Sequence, residues 1–501
     1  MLSGVAAQNS HIVTTALETS PRTAAPSFRA AGQDSYARIR GLSGAEGGTC
    51  LSGGRKCPPD AHQEATVMDP TRNAFPEKNR NLAVGSARLQ EVQKAVHYYV
   101  DNHHCDVIGR VFHGMPGREA RVSFSPTRRD VRLNAEGPRD VLHFGSYNYS
   151  GLNGHPRVVA AAEAALRRYG TTVSGVRLLN GTCELHLELE RALAEFLGFE
   201  DCVTYSSGYA ANLSVLSALC AEGDVVLSDM LNHQSIIDGL KLSGADIRTY
   251  RHKSLRSIES TLKKLPYEQR KFIITDGVFS MDGDVADLPG IVALAESYNA
   301  FILVDDAHAT AAMGPNGRGT PAYFGLQSQV DVLTGSLSKG LPGIGGFAAG
   351  SKATIDLLRF GSNGYIFSAS LPPPIAAGLL EGIRILQEQP ELQERLHHNE
   401  NYLRAGIRSM GLDCMNSESP IIPILMPAYE KTFELTRLLH LEGIYVNPVG
   451  YPAVSKNRTR LRINVSANLT QADLDRFLDA LDRCSRKLNL QDAPPLQQTG
   501  T

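Results

Sequence analysis

Lys339 stands three residues beyond the apolar run DVLTGS (331–336) and opens a string of glycines, Gly340, Gly343, Gly345 and Gly346. A lysine amine that is desolvated or set near other cations can form a Schiff base with an aldehyde, and glycines let backbone pass close to a flat ring. A second apolar run, AFILVDD, ends in Asp305, with His308 three residues further on. A carboxylate at the mouth of a buried strand is costly unless a cation or hydrogen bonds meet it. Ser206-Ser207-Gly208-Tyr209 lies between the strand-like CVTY and the helix-like AANLSVLSAL. Free backbone N–H groups and the helix dipole would there face an anion such as a phosphate. An amine for the aldehyde, a carboxylate to keep the pyridine nitrogen protonated and a cradle for the phosphate are what a pyridoxal-phosphate (PLP) site needs.

Other residues extend the set. His233, in SDMLNHQSIIDG, follows another strand-like run and could stack on a cofactor ring, and Ser280, in TDGVFSMDGD, could bond a ring hydroxyl. Arg458, Arg460, Arg462 and Asn464 share one face of a strand, opposite Leu461, Ile463 and Val465. One of these arginines could grip a substrate carboxylate with two parallel hydrogen bonds. Each residue also has a plain reading: Asp305 and Ser207 as helix caps, His308 and His233 as loop histidines, Ser280 as a turn serine, Lys339 as a solvated lysine, Arg458 and Arg460 as a solvated face. Their conjunction in order along the chain outweighs those readings. His103, His104 and Cys105 invite a metal, but adjacent residues rarely converge on one ion, and no metal is expected.

The elements that position these residues follow from the hydrophobic pattern. Between about 156 and 375, the runs CVTYSS, DVVLSD, IRTYR, KFIITDG, AFILVDD and DVLTGS each precede a polar turn and a helical pattern. Apolar strands followed by helices predict an α/β fold with a mostly parallel central sheet, whose ligands sit at the strands' C-terminal ends. Residues 81–155 read as an N-terminal helix, with Leu89, Val92, Val96 and Val100 at helical spacing, leading into a small subdomain. Residues 376–490 read as a smaller α+β domain whose last helix is capped by Thr470 and Asp473 and buries Leu474, Phe477, Leu478 and Leu481; 491–501 is a tail. Residues 1–80 are rich in Ser, Gly, Ala, Thr and Pro and are expected to be disordered, either an over-long start preceding Met68 or a transit peptide for an organelle.

In 501 residues, Lys plus Arg total 50 against 52 for Asp plus Glu, so no basic excess points to nucleic acid. Eight scattered cysteines without a CxxC pair suit a reducing compartment, and no apolar run reaches the roughly 18–20 residues of a membrane span. The expectation is a cytoplasmic protein acting on small molecules.

The motifs FGSYNYSGL, YGTTVSGVRLLNGTCELHLELE, SDMLNHQSIIDG, TDGVFSMDGD, VDDAHATAAMGPNGRG, TGSLSKGLPGIGGF, IFSASLPP and RLRINVSA occur in one order and spacing over about residues 140–485. In these the chain resembles the α-oxoamine synthases, a branch of the fold-type I PLP-dependent transferases. The resemblance implies Lys339 as the Schiff-base lysine, Asp305 as the pyridinium partner, His308 bonding the ring hydroxyl and His233 stacking on the ring. It implies Arg462 as the carboxylate anchor and Asn148 near the substrate. Ser207, Gly208, Tyr209 and Ser336 would hold the phosphate, with Ser368 reaching in from the neighbouring subunit of a homodimer. The implied reaction is decarboxylative condensation. An amino acid (serine, glycine or alanine) displaces Lys339, loses its α-proton to it, and attacks an acyl thioester carried by coenzyme A or an acyl carrier protein. SYNYSGL and GRGTPAYFGL look like the serine palmitoyltransferase branch, TDGVFSMDGD and LNHQSIIDG like the glycine acetyltransferase or 8-amino-7-oxononanoate synthase branches. A medium or long acyl group is the expectation. The alternatives are an aminotransferase of the same fold and a non-catalytic partner subunit, the latter disfavoured by Lys339.

Overall fold

The computed structural model describes Gln90, residues 110–124 and residues 137–490 apart from Pro452 and Lys456. The expectations for residues 1–80, for the helix around Leu89–Val100, for the His103-His104-Cys105 cluster and for the tail fall outside these residues.

Three short strands come first, β1 (Arg110–His113), β2 (Glu119–Phe124) and β3 (Arg139–His143). The six apolar runs then become β4 (Asp201–Tyr205), β5 (Val225–Asp229), β6 (Asp246–Tyr250), β7 (Lys271–Asp276), β8 (Phe301–Asp305) and β9 (Val332–Ser336). A seventh strand, β10 (Gly346–Gly350), follows, and the sheet order is β4-β10-β9-β8-β7-β5-β6. The pairings of β5 with β6 and β7, of β7 with β8 and of β8 with β9 are parallel. Only β10 runs against its neighbours, β4 and β9. Strands β5, β7 and β9 are buried along their whole length, as helices on both faces require. By contrast β6, at the sheet edge, is largely exposed.

Strand β10 was not expected. Its sequence, GFAAG, lacks the β-branched residues that mark strands. Its first glycine is set by backbone packing, since a Cβ on Gly346 would collide with the Ser207 carbonyl oxygen. A Cβ on Gly340 would collide with the Thr310 carbonyl oxygen in the same way. Both glycines let one stretch of chain pass close to another.

Near the C-terminus, β11 (Ile421–Leu425), β12 (Ile444–Tyr445), β13 (Asn447–Val449) and β14 (Arg460–Asn464) are short. An antiparallel sheet runs β11-β14-β13, while β12 pairs in parallel with β3 and completes a sheet β1-β2-β3-β12. Early and late segments of the chain thus share one sheet. The last helix, Gln471–Lys487, has the expected capping box of Thr470 and Asp473, with Leu474, Phe477 and Leu481 fully buried. Among the described residues no helix is long and apolar enough to cross a membrane.

The turn bearing Ser280 is tied to the sheet by an ion cluster. His252, beyond β6, bonds Asp229 at the end of β5 through Nδ1 (3.1 Å) and Asp284 through Nε2 (2.9 Å). Burial opposes protonation of His252, but the hydrogen bonds and charges of both carboxylates outweigh it and raise its pKa to about 9. Because the folded value lies above the ordinary 6.5, the stabilisation is complete below about pH 6.5 and lost as pH rises through about 9. Each tenfold gain in proton affinity is worth roughly 1.4 kcal/mol, so the stability difference between the wild type and His252→Gln should be a few kcal/mol at pH 6. It should shrink towards zero by about pH 10. Calorimetry across that range checks it; a constant difference would contradict it.

Candidate active site

Five of the residues singled out by the sequence follow C-terminal ends of the central strands: Ser207 after β4, His233 after β5, Ser280 after β7, His308 after β8 and Lys339 after β9. Asp305 is the last residue of β8, paired in register with Asp276 of β7. The two side chains meet different surroundings. Asp305 Oδ2 accepts from Asn212 Nδ2 at 2.6 Å and Oδ1 from the Ala307 N–H at 3.0 Å. Burial pushes Asp276 well above the usual carboxyl range, with the Asp305 charge adding to it, and Asp276 Oδ1 accepts the backbone N–H of His233.

Asn212, in the helix Gly208–Leu219, is buried and fully engaged. Its Oδ1 accepts from the Thr334 hydroxyl at 2.7 Å, and its Nδ2 donates to Ser235 Oγ at 2.9 Å as well as to Asp305. The carboxylate, which only accepts, selects that amide orientation. Ser235 Oγ, accepting from Asn212, is left to donate to His233 Nδ1 at 2.7 Å, and the Ser235 N–H points at the same nitrogen. His233 caps the helix Gln234–Ser243 and stays neutral because burial lowers its pKa, the Lys339 charge adding and the Asp305 charge opposing. Its ring meets Tyr209 edge-on at 6.4 Å.

His308 is buried, and Tyr149 Oη lies 2.8 Å from its Nδ1. Burial, then the charges of Lys339 and Arg462, hold it well below the ordinary histidine pKa. Burial also lowers the Lys339 amine; Arg462 adds to that, while Asp305 and Asp276 oppose it.

At the expected phosphate cradle, Ser207 Oγ accepts the Ala210 N–H at 3.0 Å, which leaves the N–H groups of Gly208 and Tyr209 without an acceptor inside the helix. A Cβ on Gly208 would touch Ser336 Cβ at 3.0 Å, and Ser336 Oγ lies 2.7 Å from Ser338 Oγ. The Tyr209 hydroxyl donates to Asp238 at 2.5 Å, so Tyr209 offers its backbone to this cradle. Ser280 sits half-buried between the bridged residues Val278 and Val285. Ser368 is half-buried, just beyond the short helix Asn363–Ile366.

Arg462 is buried with Nη1 donating to Tyr147 Oη at 2.9 Å, and its guanidinium lies 4.9 Å from the Tyr147 ring centre. Among the described residues its Nε and Nη2 have no hydrogen-bond partner. Arg460 corrects the sequence reading: it is buried, not solvated, and bonds Asp282 and the Met281 carbonyl, whereas Arg458 is exposed. A cleft of about 630 Å³ opens beside Lys339 and Asn148, walled by Phe112, Leu341, Pro342, Ile344, Ile375 and Tyr445. An amine of lowered pKa, a fully bonded carboxylate, a free helix terminus and an arginine with two idle nitrogens fit PLP carrying an amino acid.

Residues 139–481 match the family described as aminotransferase class I and II. The 8-amino-7-oxononanoate synthase 1 of Bacillus velezensis is 43% identical over 364 residues, covering 73% of this chain and 93% of that protein. The serine palmitoyltransferase of Sphingobacterium spiritivorum is 38% identical over 365 residues, 73% of this chain and 91% of its own length. A solved serine palmitoyltransferase with PLP superposes with a TM-score of 0.74 at 32% identity, over 82% of this chain and 98% of that one. This chain belongs to the α-oxoamine synthase family. It is a PLP-dependent enzyme of fold type I that condenses an amino acid with an acyl thioester and releases CO2.

Asn212, Ser235, Thr334, Tyr149 and Asp276 escaped the sequence reading. Asn212 had one available signal, since it lies four residues after Gly208 and so on the helix face above the cradle. Lys339→Ala should abolish the visible absorbance of the bound cofactor, and Asp305→Asn should lower kcat at least about hundredfold by removing the charge opposite the pyridine nitrogen. Spectra and steady-state kinetics of the purified variants check both; near-normal turnover of Asp305→Asn would contradict the assignment.

Proposed function

We propose that this α-oxoamine synthase joins serine, glycine or alanine to a medium or long acyl thioester, delivered by coenzyme A or a carrier protein, and works as a two-fold homodimer. The observation that carries the reading is Arg462, buried beside Tyr147 with two nitrogens unpartnered, on the side of the site where Asn148 and the apolar cleft lie. A buried guanidinium with idle donors is a costly arrangement unless an anion completes it. A carboxylate there orients the amino acid with its Cα towards Lys339.

When bound, PLP supplies an aldehyde and an electron-withdrawing ring. Asp305, held by Asn212 and Ala307, would set its carboxylate against the ring nitrogen, and Ser207, Gly208, Tyr209 and Ser336 would hold the phosphate. Neutral His233 would stack on the ring, and His308 and Ser280 would bond the ring hydroxyl. Lys339, whose amine burial makes easier to deprotonate, takes the α-proton at Nζ once freed. The apolar cleft wall of Phe112, Leu341, Ile344 and Tyr445 offers a surface for the acyl chain. Ser368 is assigned to the partner's site, as the family resemblance implies, which makes the dimer part of the reading.

Two measurements test it. Single amino acids added to the holoenzyme should perturb its visible spectrum only for the true donor, and adding the thioester should then release CO2 and free thiol in equal amounts. Transfer of the amino group without CO2 would indicate an aminotransferase instead. Arg462→Ala should raise the amino-acid KM by about 10- to 100-fold, the loss of one charged pair of hydrogen bonds at about 1.5–3 kcal/mol; an unchanged KM would place the carboxylate elsewhere.

A further inference from the structure

His308 makes one side-chain hydrogen bond among the described residues, and its partner comes from far away in the chain. Tyr149, completely buried, brings its hydroxyl to 2.8 Å from Nδ1. The direction of that bond follows from the surroundings. Burial keeps Tyr149 protonated, and burial together with the charges of Lys339 and Arg462 keeps His308 neutral. One ring nitrogen therefore carries the single proton.

If Nδ1 carried it, Tyr149 would have to accept, and its own hydrogen would be buried without an acceptor. That costs about 1–3 kcal/mol, a tenfold or greater preference against the arrangement. If Tyr149 donates, both hydrogens are used, and Nε2–H is the edge left to donate. The Tyr149 oxygen is held in place, because its ring is completely buried and its backbone is clamped. The Ala467 N–H donates to the Tyr149 carbonyl at 2.8 Å, and the Ser466 hydroxyl to the Asn148 carbonyl at 2.5 Å. Both clamps come from the segment directly after β14, the strand that carries Arg462.

We infer that Tyr149 is a positioning residue that locks His308 as the Nε2–H tautomer, so that His308 serves the cofactor's ring hydroxyl as a fixed donor. The inference rests on the proposed placement of His308 against that hydroxyl. It also gives the SYNY segment a double task, Tyr147 covering the carboxylate anchor while Tyr149 sets the histidine. Ser235 does the equivalent for His233, so the two imidazoles beside Lys339 present the same protonated edge.

The test is Tyr149→Phe, which removes one oxygen and leaves the ring that fills the core. Side-chain ¹⁵N shifts of His308 in the wild-type holoenzyme should show a single Nε2–H form, and in Tyr149→Phe a mixture of tautomers. The midpoint of the pH titration of the cofactor's visible absorbance should rise by about one pH unit in the variant, a tenfold change, because the ionised ring oxygen loses a fixed donor. An Nδ1–H form in the wild type would overturn the inference even if the variant folds poorly. So would a Tyr149→Phe protein in which both the tautomer and the midpoint are unchanged. Failure of the condensation reading would show instead in the CO2 and thiol assays and leave these two signals intact.

Discussion

A carboxylate at the buried end of a central strand is the constraint around which the site is arranged. Asp305 lies at the C-terminal edge of β8, beside Asp276 on β7, where two acids would repel each other in low dielectric. The chain resolves this by unequal treatment. Asp305 receives an amide and a backbone N–H, whereas Asp276 is pushed towards its neutral form by burial. The charge is thereby concentrated on the residue that the proposal sets against the pyridine nitrogen. Asn212 is central to this because one amide serves three partners, and its orientation passes through Ser235 to His233.

The cationic side is arranged in the same spirit. Lys339 and Arg462 both sit in or beside buried surroundings, and their charges depress the histidines between them, Lys339 acting on His233 and both acting on His308. Two neutral imidazoles result, which donate hydrogen bonds without adding positive charge to a site that must gather an anionic phosphate and an anionic substrate. The unfilled capacity lies where those anions would enter, at the first turn of the helix Gly208–Leu219 and at Nε and Nη2 of Arg462.

How much of this the sequence could show depends on distance along the chain. Lys339, Asp305, His308 and His233 were legible because each ends or follows a strand whose apolar pattern is local, and six of the seven central strands were visible in the same way. Strand β10 was not, because its first glycine is chosen for backbone contact with the Ser207–Gly208 loop, a tertiary reason with no periodic trace. Arg460 read as a solvated side chain on a polar strand face; only the fold brings Asp282 to it from the turn after β7. Tyr149 stood inside a quoted motif, yet its partner lies 159 residues on. Asn212 looked like an ordinary polar residue in a helix. Residues proposed to touch the cofactor are announced by strand ends, whereas those that orient them become visible only once distant segments are joined.

The protonation state of the cofactor's pyridine nitrogen tests the account most directly, because setting it is the task proposed for Asp305. A ¹⁵N spectrum of holoenzyme reconstituted with ¹⁵N-labelled PLP should show a protonated ring nitrogen across the neutral range in the wild type and lose it in Asp305→Ala. A wild-type ring nitrogen that is unprotonated at neutral pH would contradict it.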